Sequence, residues 1–290
     1  EKYDFFKPFY PLAEKFMQTG VDVDTFHFEP NYTPLDIPDE EAFSIVDDFF
    51  KEQGDFFRST FNEFDEEADD HLEFVEPNCN TEGEMVFLKM TGDAFVFCPN
   101  YSNFTKITIL SHEVEHVIDS FKNSDFFDNL LIRETIAIFI EMLMGDYCAK
   151  KYHLLDDHFQ RKFMLHIILK RHATIFIDKM DMLNIINSHR NLNENDLFCL
   201  LDEEGFSNDC VAFLMENTIS EDFYYILAYL IAIELYFIYQ SDRQKALTIS
   251  EDIIMHGTDD NIFELLNKYD IMINQNVKKY ENQLLKKIKK

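Results

Sequence analysis

Tryptophan is absent from this 290-residue chain, and glycine and proline are scarce, with seven of each. Every proline lies at or before Pro99, and five of the seven fall within residues 1–38. Proline interrupts helices because it lacks a backbone N–H and clashes with the preceding turn. Residues 1–38 are therefore predicted to form an irregular lead, and the proline-free remainder is predicted to form long, uninterrupted helices.

Cysteines are few and long hydrophobic runs are missing. The five cysteines are scattered, and no two of them form a C-x-x-C pair. This pattern favours reduced thiols and a cytoplasmic location over a disulfide framework. The most apolar stretch, residues 224–239, is shorter than the ~20 residues that a membrane span needs. It also carries Glu234, so we expect a buried helix there and no contact with a membrane.

Positive charge is scarce as well. Lysine and arginine number 26 against 55 aspartates and glutamates, which gives a net charge of −29. Nucleic acids and anionic membranes would be repelled by such a surface, so neither is expected as a partner. An acidic surface suits basic peptides, but solubility alone also explains it. Apolar residues are plentiful at 46%, with 31 phenylalanines, which is enough for a substantial aromatic core.

Residues 107–121 combine a helical apolar pattern with an H-E-x-x-H motif at positions 112–116. Their apolar side chains recur at helical intervals and share one face: Ile107, Leu110, Val114, Val117, Ile118 and Phe121. His112 and His116 lie on the opposite face, about 40° apart. Residues four apart are separated by about 6 Å along a helix axis, so both imidazoles can bind one metal ion.

The motif predicts a zinc site with one Zn²⁺ per chain. A catalytic zinc takes three protein ligands and leaves a fourth position open for water. Glu113 lies on the flank next to His112, where its carboxylate can act as general base. The alternative from the residues alone is a solvated helix face that carries two histidines by chance.

Glu134 is the candidate third ligand, in a second helical run that is apolar nearly all round, residues 131–144. Glu141 follows seven residues later on the same face. Buried carboxylates are costly unless they are paired or bind a metal. Zinc on Glu134, with Glu141 as an outer acceptor for a ligand histidine, would satisfy both. Pairing with Arg133 or another cation is the alternative.

Together these residues resemble the zinc oligopeptidase family of thimet oligopeptidase and oligoendopeptidase F, the M3-like metallopeptidases. That family has H-E-x-G-H, then a glutamate ligand on the next helix and a second glutamate seven residues on. Residues 88–97 resemble its Lys-x-x-Gly-x-Ala-Phe segment, and residues 222–229 resemble the tyrosine-rich segment that faces the zinc. The resemblance runs, with gaps, from about residue 40 to about residue 240.

The resemblance implies a mainly α fold, a helical zinc-metallopeptidase catalytic domain over residues 39–290. Residues 39–64 have a helical pattern of their own, and two β-prone runs, 85–90 and 93–98, predict a small antiparallel sheet. The implied function is hydrolysis of short peptides. Tyr225 or Tyr229 would donate to the oxyanion, although both are also explained as core aromatics.

The chain departs from the family in three ways. Glu115 stands where the family has glycine, the loop between His116 and Glu134 is shorter, and no histidine lies just before the tyrosines. Family members usually carry a long N-terminal lobe, so a missing lobe or a partner chain is expected. A non-catalytic descendant that binds zinc or peptide is therefore the alternative function. A di-iron bundle needs a second E-x-x-H, which the sequence lacks.

Overall fold

The structure is a computed structural model that describes residues 10–17, 37–66, 68–76, 83–101, 104–123, 129–151, 173–189, 191–206 and 219–273. The fold is mainly helical with one small sheet, which confirms the predicted fold class. The chain divides into two compact units. Residues 1–23, 164–227 and 274–290 form the first unit, and residues 24–163 and 228–273 form the second. That residues 39–290 act as one catalytic domain stays a prediction.

Among the described residues, four helices precede the sheet: α1 (Tyr10–Met17), α2 (Asp39–Glu52), α3 (Asp55–Asp65) and α4 (Ala68–His71). The strands are β1 (Leu72–Val75), β2 (Glu84–Leu88) and β3 (Asp93–Pro99). The later helices are α5 (Phe104–Lys122), α6 (Leu130–Lys151), α7 (residues 173–188), α8 (Glu194–Glu203), α9 (Ile219–Ser241), α10 (Arg243–His256) and α11 (Ile262–Asn267). None of these described helices combines the length and the apolar character needed to cross a membrane.

Helix α1 lies within the predicted irregular lead, so the expectation of irregular structure is wrong for residues 10–17. Pro11 stands in the first turn of this helix, where a proline is tolerated because its missing N–H would have no helical partner. The Tyr10 hydroxyl donates a hydrogen bond to Asp181 Oδ1 at 2.9 Å, which joins α1 to α7 within the first unit. Residues 1–9 and 18–36 of the lead lie outside the described residues.

The helical pattern of residues 39–64 is two helices, α2 and α3, rather than one. Gly54 separates them with φ +100°, a left-handed conformation that glycine adopts without a steric cost. The two helices fold back on each other through phenylalanines. The rings of Phe50 and Phe61, both fully buried, stack with centroids 5.3 Å apart. The aromatic surplus of the sequence is thus used in this core.

The sheet has the strand order β1–β3–β2. Strand β2 pairs antiparallel with β3, as the two β-prone runs predicted. Strand β1 adds a parallel neighbour on the other side of β3, so the sheet is mixed rather than wholly antiparallel. The sequence did not predict β1, because a four-residue strand carries little local signal and its parallel partner is set by the path of the chain. Strand β2 is one edge of this sheet.

Helix α5 packs between the sheet and helix α6 in the second unit. Five of the six residues of its predicted apolar face are fully inaccessible to solvent: Ile107, Leu110, Val114, Val117 and Ile118. The sixth, Phe121 in the last turn, is half-buried. Near the start of the helix, the buried Lys106 donates from Nζ to the Ile37 carbonyl at 2.7 Å and to Asp39 Oδ1 at 2.6 Å. A buried ammonium is tolerated when it is paired in this way, and the pairing ties α5 to the beginning of α2.

Candidate metal centre

Helices α5 and α6 pack side by side and bring the three predicted ligands together. His112, His116 and Glu134 each offer one ligand atom, and these atoms all lie within 4.8 Å of one another. Glu134 faces both histidines: its Oε2 lies 3.6 Å from His112 Nε2, and its Oε1 lies 3.7 Å from His116 Nε2. The group is thus one that could hold a metal ion.

The donor set and the two nitrogen–oxygen distances are those that a zinc ion would need. Tetrahedral ligands with bonds of about 2.0–2.2 Å lie roughly 3.3 Å apart, close to the two nitrogen–oxygen distances in this group. The imidazoles of His112 and His116 meet nearly at right angles, with an interplanar angle of 83° and ring centroids 4.7 Å apart. Both rings therefore direct Nε2 towards the same carboxylate. Two imidazole nitrogens and one carboxylate oxygen are a donor set of catalytic zinc sites.

A second carboxylate lies behind each histidine. Glu141 Oε2 is 3.4 Å from His112 Nδ1, and Glu115 Oε2 is 3.7 Å from His116 Nδ1. Glu141 is therefore placed to accept a hydrogen bond from the ring nitrogen of His112 that does not face Glu134. Its role as an outer acceptor for a ligand histidine remains a prediction. Sequence reasoning assigned no contact to Glu115, because neighbouring residues on a helix do not ordinarily face each other.

Arg133 also reaches the cluster. Its Nε donates to Glu134 Oε1 at 3.4 Å, so the arginine pairing that the sequence left open is present beside the histidines. Burial would raise the pKa of Glu134, but His112, His116 and Arg133 together lower it to about 2. Burial lowers the pKa of His116 to about 3. An ionised carboxylate and a neutral imidazole are the forms that bind metals.

Glu113, the predicted general base, is only 6% exposed. Burial raises the pKa of its carboxyl group to about 7, and this effect is partly offset by His112. A base works best when its pKa lies near the working pH. Burial lowers the pKa of His112 itself, but hydrogen bonds to Glu134 and Glu141 outweigh burial and raise that pKa well above its ordinary value. A metal ion would therefore have to displace a proton from His112.

Gly83 lies directly against Glu113, just before strand β2. A Cβ atom added at Gly83 would come within 2.5 Å of Glu113 Oε1 and within 2.5 Å of Ile109 Cγ2. Only a residue without a side chain allows this close approach. Sequence reasoning did not single out Gly83; the one available signal was a glycine placed just before a β-prone run.

The start of α6, which carries Glu134 on its first turns, is held by a residue distant in sequence. Asp259 Oδ1 accepts the backbone N–H groups of Leu131 at 3.0 Å and Ile132 at 3.3 Å. These donors have no partner within the helix. The Asp259 N–H in turn donates to Asn129 Oδ1 at 3.1 Å. A carboxylate at a helix N-terminus is also favoured by the helix dipole.

The two candidate tyrosines lie one turn apart on helix α9. Tyr225 is half-buried and belongs to the first unit, whereas Tyr229 is 5% exposed and belongs to the second unit with the metal-ligand group. Their proposed role at the oxyanion stays a prediction. Residues 226–235 of the same helix, which include Glu234, are buried, as predicted for this apolar stretch.

No known family profile matches the chain, and no curated protein sequence matches it. Two solved structures do. A protein of Bacillus anthracis str. Ames, titled as an oligoendopeptidase F, has a TM-score of 0.64 at 13% identity and is matched over 94% of this chain and 52% of its own. PZ peptidase A, solved with an inhibitor, has a TM-score of 0.63 at 13% identity, over 98% of this chain and 57% of its own.

These likenesses establish the fold. This chain and the two proteins have the same helical fold. It is the fold that the sequence resemblance implied. It spans only about half the length of either protein, as 52% and 57% coverage indicate.

Proposed function

We propose that this chain is a zinc-dependent metallopeptidase that hydrolyses short peptides. The observation that carries the proposal is the convergence of His112, His116 and Glu134 on one point, with the buried Glu113 next to them on α5. The two matching structures, one titled as an oligoendopeptidase F and the other named PZ peptidase A, support it.

The residues divide the reaction between them. His112, His116 and Glu134 would hold the ion, which would supply Lewis-acid activation of the peptide carbonyl and of water. Glu113 takes the proton that the attacking water loses, and then delivers the same proton to the leaving amine. A carboxylate suits both steps, because it can accept the proton and later release it. A hydroxyl from Tyr225 or Tyr229 stabilises the negative charge on the carbonyl oxygen.

The edge strand β2 favours an extended peptide as the substrate. Its backbone groups on the side away from β3 have no partner strand within the described sheet, and an extended peptide can pair with such an edge. The strand begins at Glu84, directly after Gly83, which touches Glu113. A peptide on this edge would pass near the general base, so main-chain hydrogen bonds could align the scissile bond.

A non-catalytic protein that binds zinc or peptide is the second candidate. It is favoured by the absence of any histidine between His189 and His256 and by the position of Arg133, whose Nε competes for Glu134 Oε1 at 3.4 Å. A cation beside a ligand carboxylate weakens its donation to a metal. The retained Glu113 argues against this candidate, because metal binding alone has no use for a carboxylate there.

Metal content and peptide cleavage distinguish the two candidates. The purified chain would be analysed for zinc and incubated with a mixed library of fluorogenic peptides, with and without a chelator. We expect one zinc per chain and cleavage that the chelator abolishes and added zinc restores. Stoichiometric zinc without cleavage would favour the binding protein, and absence of both would exclude the metal centre.

A further inference from the structure

The two histidines of the metal centre have matching surroundings. Each presents Nε2 to Glu134 and Nδ1 to a different carboxylate. The carboxylate behind His112 comes from the facing helix, and the Glu141 side chain that supplies it is 21% exposed. The carboxylate behind His116 is that of Glu115, which is fully buried.

Glu115 is an expensive residue to bury. Within the described part of the chain, neither of its carboxylate oxygens accepts a hydrogen bond. A buried carboxyl group without a hydrogen bond destabilises a fold unless it serves a purpose elsewhere. The nitrogen it approaches is His116 Nδ1, at 3.7 Å.

Helix geometry alone does not produce this approach. Successive side chains on a helix point about 100° apart, so residues next to each other in sequence do not ordinarily meet. Glu115 and His116 have to turn towards the same side of α5 to come within 3.7 Å. Asp119, one turn further on, is a second buried carboxylate whose oxygens accept no hydrogen bond within the described residues, but of these two carboxylates only that of Glu115 lies within 4 Å of a ring nitrogen of His116.

We propose that Glu115 is a positioning residue for His116: its carboxylate accepts the Nδ1–H hydrogen bond and so directs Nε2 to the metal ion. A proton fixed on Nδ1 leaves the lone pair on Nε2, and the hydrogen bond holds the ring in that orientation and makes the ligand more basic. The present separation of 3.7 Å is about 0.8 Å longer than a hydrogen bond of about 2.9 Å, so the two groups have to move closer when the ion binds. This inference rests on the proposed metal centre.

Glu115→Leu and Glu115→Gln test it, with zinc affinity measured by competition against a chelating dye. Leucine removes the acceptor, so we expect zinc affinity to fall roughly 10–100-fold, as for the loss of an outer partner. The metal-free Leu variant should nevertheless have a higher Tm than the wild type, because a costly buried carboxyl group is gone. Glutamine keeps an acceptor oxygen, so its affinity should lie closer to that of the wild type than to that of the Leu variant.

A spectroscopic measurement and a matched control complete the experiment. The visible absorption of the Co²⁺-loaded protein should change in Glu115→Leu and return towards the wild-type spectrum in Glu115→Gln. Asp119→Leu removes a second buried carboxylate one turn away. Loss of its negative charge does not make Glu115 a poorer acceptor, so zinc affinity should not fall in this variant. If Glu115→Leu does not fold, Glu115→Ala takes its place in the comparison.

The outcomes separate this inference from the proposed function. Wild-type affinity and spectrum in the Leu variant would overturn the role of Glu115 while leaving the metal centre intact. Equal losses in Glu115→Leu and Asp119→Leu would also overturn it, because a general effect of buried charge would then explain both. A wild-type chain that binds neither zinc nor cobalt would overturn the proposed metal centre, and the role of Glu115 with it.

Discussion

Gly83 and Glu113 are in contact: a Cβ atom on Gly83 would lie 2.5 Å from the Glu113 carboxylate. The beginning of an edge strand and the proposed general base therefore share one small space. Gly83→Ala should displace the Glu113 side chain, and a misplacement of about 1 Å can cost on the order of 10²-fold in rate. We expect cleavage of a fluorogenic peptide to slow by roughly that factor, with zinc affinity unchanged.

Gly92→Ala is the matched control for that substitution. Gly92 lies at the tip of the β2–β3 hairpin, where an added Cβ would meet no atom within 4 Å, although its φ of +83° makes alanine strained there. This variant adds a methyl group, and some backbone strain, to the same hairpin without reaching Glu113, so its rate should equal that of the wild type. If the two glycine variants cleave the peptide at equal rates, the contact between Gly83 and Glu113 does not matter for catalysis.

Glu113→Gln tests the general base itself. Glutamine has nearly the shape of glutamate but cannot take a proton from water, so turnover should disappear while fold and zinc content persist. Peptide affinity should also persist. Because Glu113→Gln should not cleave the peptide, its affinity can be measured with a labelled peptide that an unlabelled peptide displaces. Glu264→Gln, on the exposed side of α11, is the control for loss of one negative charge. Turnover by Glu113→Gln at the wild-type rate would exclude the proposed mechanism.

The carboxylates of α6 are expected to differ in their effect on zinc. Glu134→Ala removes a ligand and should empty the site, as should His112→Ala or His116→Ala. Glu141→Ala removes an outer partner of His112 and should weaken affinity only ~10–100-fold. Zinc content after dialysis, followed by chelator competition, distinguishes the two effects. If Glu141→Ala empties the site and Glu134→Ala does not, the two glutamates have exchanged roles.

The tyrosines of α9 are tested by removal of one oxygen atom. Tyr225→Phe and Tyr229→Phe keep the ring and its packing, so a purely structural tyrosine should tolerate the change. The residue that stabilises the oxyanion should lose roughly 10²–10³ in kcat with zinc content unchanged. Each variant serves as the control for the other. Near-normal kcat in both would assign them to the core.

The Asp259 carboxyl group should make the stability of the fold depend on pH. This effect does not involve titration of the proposed metal ligands. Burial raises the pKa of its carboxyl group to about 6, although the N–H groups of Ile132 and Leu131 and the charge of Arg133 oppose the rise. The folded state therefore binds this proton more tightly than the unfolded state does. Its contribution to stability is fully present below about pH 4 and is lost as the pH rises through about 6.

Asp259→Asn keeps an acceptor for the end of α6 but cannot titrate. The free energy of unfolding of the wild type should therefore fall relative to that of the Asn variant as the pH rises from about 4 to about 7. Denaturant titrations of the metal-free proteins at several pH values measure this difference. A difference that stays constant with pH would mean that Asp259 does not titrate in this range.

Much of the candidate site could be predicted from the sequence because its signals are local. The H-E-x-x-H spacing and the apolar stripe of residues 107–121 both follow from the helical repeat, and together they determine which face of α5 is buried. Glu134 was predicted from an energetic argument, since a carboxylate in an apolar helix needs a partner. In the structure its carboxylate oxygens lie 3.6 and 3.7 Å from the two histidines.

Tertiary structure decided the contacts that no repeat encodes. Strand β1 joins β3 in parallel, Gly83 reaches Glu113, and Asp259 caps α6 from more than a hundred residues away. Such contacts depend on where the chain returns in space, and residue type and spacing carry little information about that. Glu115 belongs to both levels. Its place on α5 is local, but only the packed interior buries its carboxylate away from water, 3.7 Å from His116 Nδ1.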